Sequence, residues 1–123
     1  MSREWIYRRG DVVLVLLPFV TDPSEQKLRP AVVIQNDVGN RFSANLIVVA
    51  ISSHLPTRQY PTDLLLRHGS AEAEGAGLGR DSVVQADSIT TVAKEMVARL
   101  LGRLNATAMR AVDECVRVSL GLN

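Results

Sequence analysis

The sequence predicts a mainly β fold: a small curled barrel of about six short strands, finished by one C-terminal α-helix. Three observations carry that prediction. Short apolar runs rich in β-branched residues recur along residues 12–92, each bounded by Pro, Gly, Asn or Asp. Sustained helical spacing of apolar residues is confined to residues 109–120. The strands follow one another closely without long helices between them, which favours a curled antiparallel sheet over a parallel one.

Taken in order, Arg8-Arg9-Gly10-Asp11 opens the apolar run 12–17, and Pro18 ends it. This is a buried first strand. Residues 21–27 form a polar loop with a turn signal at Asp22-Pro23. A loop between two buried strands is a common seat of function. Pro30 starts the second strand, a permitted place because its missing N–H need not pair there. The buried run 31–34 follows. Asn36-Asp37-Val38-Gly39-Asn40-Arg41 predicts a turn, with Gly39 and Asn40 able to supply positive φ. Residues 46–51 are a third apolar strand, Pro56 and Pro61 bracket a linker, and 62–67 form a fourth, more exposed strand.

Residues 68–79, rich in Gly, Ala, Ser and Glu, predict a mobile loop. Its Gly75-Ala76-Gly77-Leu78-Gly79 lacks the lysine and hydroxyl that follow in a phosphate-binding loop, so no nucleotide role is expected. Residues 81–86 and 88–92 predict two further strands or one bent strand, 95–99 a helical turn, and 100–104 a final edge strand. Asn105 is then an N-cap for the last helix. Met109, Val112, Val116 and Leu120 make its core stripe, and Gly121 its stop. Ala111, Val118 and Leu122 lie on the opposite face.

The chain has 123 residues, which favours one domain over residues 1–123 and suffices to bury roughly two-thirds of the unfolded surface. The net charge of +1 does not announce a nucleic-acid binder, though a local basic patch fits on a neutral protein. The lone Cys115 cannot form an internal disulfide, which points to the cytoplasm, and its helical setting makes it a packed residue. No long apolar run follows Met1-Ser2-Arg3-Glu4-Trp5, so no signal peptide is expected, and no stretch approaches the ~20 apolar residues of a membrane span.

Candidate chemistry concentrates between residues 25 and 54. Arg29 stands at the mouth of the second strand, and the hydroxyls of Ser52 and Ser53 stand at the end of the third. An arginine grips phosphate through a bidentate fork, and a hydroxyl donates to a charged oxygen. If the two strands pair, both groups line one site, which points to a phosphodiester handled without a metal. His54, two residues beyond Ser52, would share its face on an extended strand and supply an acid or base. Phe19, beside the loop, is placed either to stack a base or to join the core. Metal chemistry finds no support: His54, His68 and Cys115 lack ligand-like spacing. No Gly-x-Ser-x-Gly elbow is present, and Glu72, Glu74, Asp113 and Glu114 are expected in solvent.

Several short motifs in a fixed order then carry a resemblance. They are Arg9-Gly10-Asp11, Ser24-Glu25-Gln26, the run from Arg29-Pro30-Ala31 through Gln35-Asn36-Asp37, Asn40-Arg41-Phe42, Ile51-Ser52-Ser53, Arg80-Asp81-Ser82-Val83-Val84, and Val118-Ser119-Leu120-Gly121-Leu122. With these the chain resembles the MazF/PemK-type toxins, the ribonuclease half of bacterial toxin–antitoxin pairs. The resemblance implies an SH3-like, PemK-type barrel and a homodimer. It implies sequence-specific cleavage of single-stranded RNA without metal or cofactor, leaving 2′,3′-cyclic phosphate and 5′-hydroxyl ends. It also implies inhibition by a cognate antitoxin with a partly disordered segment. The family's catalytic arginine falls on Arg29 and its catalytic threonine on Ser52; Glu25 and Gln26 match the loop that helps hold RNA, and Gln85 and Asp87 fall near substrate-contacting positions. Two departures stand out: serine replaces threonine at position 52, and Thr90-Thr91-Val92-Ala93 stands where Arg-Thr-Ile-Asp is common. The alternatives are a gyrase-inhibiting toxin of the same fold, whose Trp-Gly-Ile tail is replaced here by Leu120-Gly121-Leu122-Asn123, and a catalytically impaired homologue that binds an antitoxin.

Overall fold

The first apolar run becomes β1 (Asp11–Pro18), and its composition explains its place. Successive side chains of a strand point to opposite faces. Val12 joins one hydrophobic cluster, while Val13, Val15 and Leu17 join another on the other face. A strand buried on both sides needs apolar residues at consecutive positions, and burying each Val or Leu contributes about 1.5–3 kcal/mol. The computed structural model describes residues 5–18, 24 and 26–123.

The remaining elements follow as β2 (Gln26–Val33), α1 (Asp37–Phe42), β3 (Asn45–Ser52), β4 (Asp63–Leu66), β5 (Ser82–Ala93), a 3₁₀ turn (Lys94–Met96), β6 (Val97–Arg103) and α2 (Ala106–Leu120). The six strands form one antiparallel sheet in the order β4-β5-β3-β2-β1-β6. Mainly β architecture, strand number and C-terminal helix agree with the sequence reading. The barrel does not close: β4 and β6 remain the two edges. One cluster, with Val12, Val32, Val49, Ile51 and Val84, lies under α2 and includes its Ala108 and Val112. The other, with Ala31, Val33, Leu46, Val48 and Ala50, fills the opposite face. No helix among the described residues is long and apolar enough to cross a membrane.

Four local expectations change. The predicted turn at 36–41 is α1: the Asn36 side chain caps it by accepting from Gly39 N–H at 2.8 Å, and neither Gly39 nor Asn40 has positive φ. Asn40 is fully buried, donating to Gln35 O at 2.8 Å and Asp37 Oδ1 at 3.1 Å and accepting from Gln35 Nε2 at 3.0 Å. The second strand begins at Gln26 rather than at Pro30, which sits inside β2 opposite Leu14. Of the two readings for residues 81–92, the one bent strand holds, as β5 with a bulge. Val49 pairs with Ile89 but Ala50 with Gln85, so Ala86, Asp87 and Ser88 have no partner on β3.

The segment 68–79 is packed rather than mobile. Ala76 is fully buried, Arg103 N–H donates to Gly75 O at 2.8 Å, and Asn105 Nδ2 donates to Ala71 O at 2.8 Å. Its glycines serve close approach: a Cβ at Gly77, whose φ is +73°, would collide with the Leu101 carbonyl. The fourth change is in α2, whose buried stripe is Ala108, Val112 and Cys115, with Met109 and Val116 at its margins. Leu120, expected in the stripe, is 57% exposed. Small residues at 108 and 115 let the helix lie close on the strands.

Asn105 is the N-cap as expected. Its Oδ1 accepts from Ala108 N–H at 2.9 Å while its Nδ2 holds Ala71, so one side chain starts α2 and fastens the 68–79 segment. Asn105→Ala should therefore cost more than a simple cap, about 1–2 kcal/mol. A urea titration would read this as a lower midpoint at unchanged slope. Arg9 makes a second fastening, with Nε donating to Ile34 O at 2.8 Å and Nη2 paired with Asp113 at 2.6 Å.

Candidate active site

The β2–β3 ladder pairs Val33 with Val48, Val32 with Val49 and Ala31 with Ala50, and there it ends. Continuing the same register sets Arg29 opposite Ser52. Both lie two residues beyond small or β-branched members of the same cluster, so both side chains leave the same face. The strands part at this point around a cleft of about 280 Å³ lined by Lys27, Leu28, Arg29, Pro30, Ile51, Ser52, Ser53 and His54. Arg29 and Ser52 are half-buried, whereas Lys27 and His54 are exposed.

Ser52 is oriented from its own turn. Its Oγ accepts from the His54 backbone N–H at 3.0 Å, which fixes the side chain and leaves the hydroxyl hydrogen to donate into the cleft. The expectation that His54 extends the strand fails: β3 stops at Ser52 and the chain bends at residues 53–54. His54 nevertheless lines the same cleft. Lys27 was not singled out from the sequence. Its signal was its place two residues before Arg29, which puts both cations on one face of β2. Among the described residues no carboxylate lines the cleft, and its described cations favour an anion.

The other expected site residues lie elsewhere. Gln85 is half-buried on β5, opposite Ala50 on one side and Asp63 on the other, and shares the face of Ser52 without lining the cleft. Asp87 is exposed in the β5 bulge and is not among the residues that line the cleft. Gln26 opens β2 in register with Pro18. Glu25 and Phe19 lie outside the described residues.

Two further titratable groups have structural settings. Burial pushes the Cys115 thiol above its ordinary range, with Asp63 and Glu114 adding to the shift, so it is a packed residue and a poor nucleophile. Asp37 is held below the usual carboxylate range, first by the Arg9 backbone N–H and then by Asn40.

Comparison with known proteins joins this geometry. Residues 8–120 match the family described as PemK-like, MazF-like toxin of type II toxin–antitoxin system. Endoribonuclease EndoA of Bacillus subtilis (strain 168) is 37% identical over 117 residues, which is 95% of this chain and 97% of that protein. Among solved structures, an endoribonuclease in complex with its cognate antitoxin from a mycobacterial species superposes with a TM-score of 0.75 at 23% identity, covering 95% of this chain and 97% of that one. A chain of the MazE–MazF (Form-II) structure from Deinococcus radiodurans gives 0.74 at 17% identity, covering 98% of this chain and 100% of that one. At these identities the superpositions show a shared fold.

Proposed function

The chain belongs to the PemK-like, MazF-like toxin family of type II toxin–antitoxin systems, and from that membership we propose that it is the toxin: an endoribonuclease that cuts single-stranded RNA at specific sequences without a metal. The observation that carries the reading is the Arg29–Ser52 pair at the parted end of β2 and β3, in a cleft whose described lining includes cations and hydroxyls.

The chemistry follows from the donors. The RNA 2′-oxygen attacks the adjacent phosphorus; the new O2′–P bond forms as the P–O5′ bond breaks. The products are a 2′,3′-cyclic phosphate and a 5′-hydroxyl. Negative charge builds on the non-bridging oxygens, where the Arg29 fork supplies two N–H donors and Ser52 one O–H. Fixed donors aimed at such charge are worth about 3–4 kcal/mol each. A guanidinium keeps its charge and is a poor base, so Arg29 acts electrostatically. The 2′-hydroxyl proton leaves to water or to the His54 imidazole, which lines the cleft. The departing O5′ takes up a proton in turn.

The protein acts as one toxin domain over residues 1–123, as a homodimer in the cytoplasm, and a cognate antitoxin with a partly disordered segment silences it. Glu25, Gln26, Gln85 and Asp87 contact RNA around the reacting pair. Incubating the pure protein in excess EDTA with a long single-stranded RNA tests the reading. Discrete cuts with cyclic-phosphate ends support it, whereas intact RNA across varied sequences refutes it. Within this mechanism, Ser52→Ala should slow cleavage roughly 10²-fold. Ser52→Thr should keep the hydroxyl and the activity, since its added methyl only narrows the rotamer choice. Single-turnover rates on one mapped site compare all three proteins, and a dead Ser52→Thr would count against the hydroxyl's role.

A further inference from the structure

A second cleft, of about 290 Å³, opens beside the first. It is lined by Leu14, Pro30, Ser53, residues 77–80, Ser82, Arg99 and Leu101. Pro30 and Ser53 line both clefts, so the two adjoin at those residues. Arg80 enters it from the turn before β5 and Arg99 from β6. Leu14 pairs with Pro30 on one side and with Arg99 on the other, which puts Arg99 in one transverse row with the mouth of the first cleft. The two strand spacings between Arg99 and Pro30 amount to about 10 Å.

Among the described residues the charges in this cleft are uncompensated. Both arginines are exposed, no described residue engages either guanidinium in a hydrogen bond or ion pair, and no described carboxylate lines the walls. The neighbouring Asp81 is turned to Arg67 at 3.6 Å and to the His68 backbone N–H at 2.7 Å. The wall is also fixed in place. The Arg80 carbonyl accepts from Ser82 Oγ at 3.0 Å, and the Gly77 backbone sits against the Leu101 carbonyl with no room for a side chain. Two guanidiniums on a fixed wall, with no partner among the described residues, are a binding arrangement for paired phosphates.

We propose that this second cleft binds the sugar–phosphate backbone of the RNA strand flanking the scissile bond, with Arg80 and Arg99 each gripping a phosphate. The proposal rests on the ribonuclease reading and adds a subsite to it. Arg80 and Arg99 position the strand, and Arg29 and Ser52 act on the bond.

The test uses the full chain, a single-stranded RNA with one mapped cut site, and versions of that RNA trimmed toward the cut from each end. The Arg80→Gln/Arg99→Gln double variant should raise KM on the long RNA roughly tenfold at 0.15 M salt. Its plot of log(kcat/KM) against log[salt] should be shallower by about 1.4, at roughly 0.7 per phosphate contact on single strands. The difference from wild type should shrink as trimming from one end removes the flanking phosphates. Arg80→Lys/Arg99→Lys, which keeps the charges, should recover most of the affinity. A double variant with wild-type KM and salt slope on the long RNA overturns the proposal while leaving the ribonuclease reading intact. A wild-type protein that cuts no RNA overturns both.

Discussion

Arg29→Ala should lower the rate of RNA cleavage by roughly 10²–10³-fold, the usual cost of removing a donor aimed at transition-state charge. The fold should survive. Arg29 is half-buried at the rim of β2 and belongs to neither hydrophobic cluster, and its backbone pairing with Val15 does not depend on its side chain. The loss should therefore appear in kcat of a protein that still folds. Arg29→Lys separates charge from geometry. A lysine brings one compact charge in place of a planar fork, and at a bidentate site that is not a conservative change. Its rate should stay well below wild type. Near-full activity in the lysine variant would mean that the fork is not used, and near-full activity in the alanine variant would remove Arg29 from the chemistry.

The largest expected effect on stability lies far from the reacting pair in sequence. Gly77→Ala should destabilise the protein by about 3 kcal/mol and lower its melting temperature by roughly 10 °C. Two costs combine. Gly77 has φ of +73°, where an L side chain costs about 1–2 kcal/mol. The added methyl also meets the Leu101 carbonyl and the Gly102 amide, which belong to β6 and cannot swing aside like a side-chain tip; overpacking of this kind typically costs about 1–3 kcal/mol. Gly79 is the control two residues away. It has no positive φ and nothing within 4 Å of a new Cβ, so Gly79→Ala should stay within about 0.5 kcal/mol of wild type. Equal melting temperatures for the two variants would contradict the packing described for this segment.

These same residues mark where the sequence is legible and where it is not. The strands could be read because runs such as Val12 to Leu17 and Leu46 to Ile51 must be apolar on both faces. The Arg29–Ser52 site could be read because each residue closes such a run, and adjacent antiparallel strands bring their ends together. Gly39-Asn40 misled because that pair signals a turn, while here Asn36 uses the Gly39 amide to cap α1 and Asn40 is buried. The glycines of residues 68–79 suggested mobility because composition does not distinguish freedom from close packing. Whether the sheet closes depends on β4 and β6 meeting across space, which no local pattern encodes. Arg80 and Arg99 share a cleft only because the turn before β5 comes to lie near β6, a relation hidden until the fold is known.

The antiparallel register between β2 and β3 has one more consequence. Arg29 meets Ser52 because Ala31 pairs with Ala50, and a slip of one residue would send every β3 side chain to the opposite face. Ser52 would leave the cleft, and Val49 and Ile51 would leave the cluster beneath α2 in the same step. A misaligned molecule would thus be both unstable and inert, with no stable but weakened species between. Specific activity of a purified batch is therefore a direct count of correctly folded molecules, and recovery of cleavage after dilution from denaturant should keep time with recovery of the sheet.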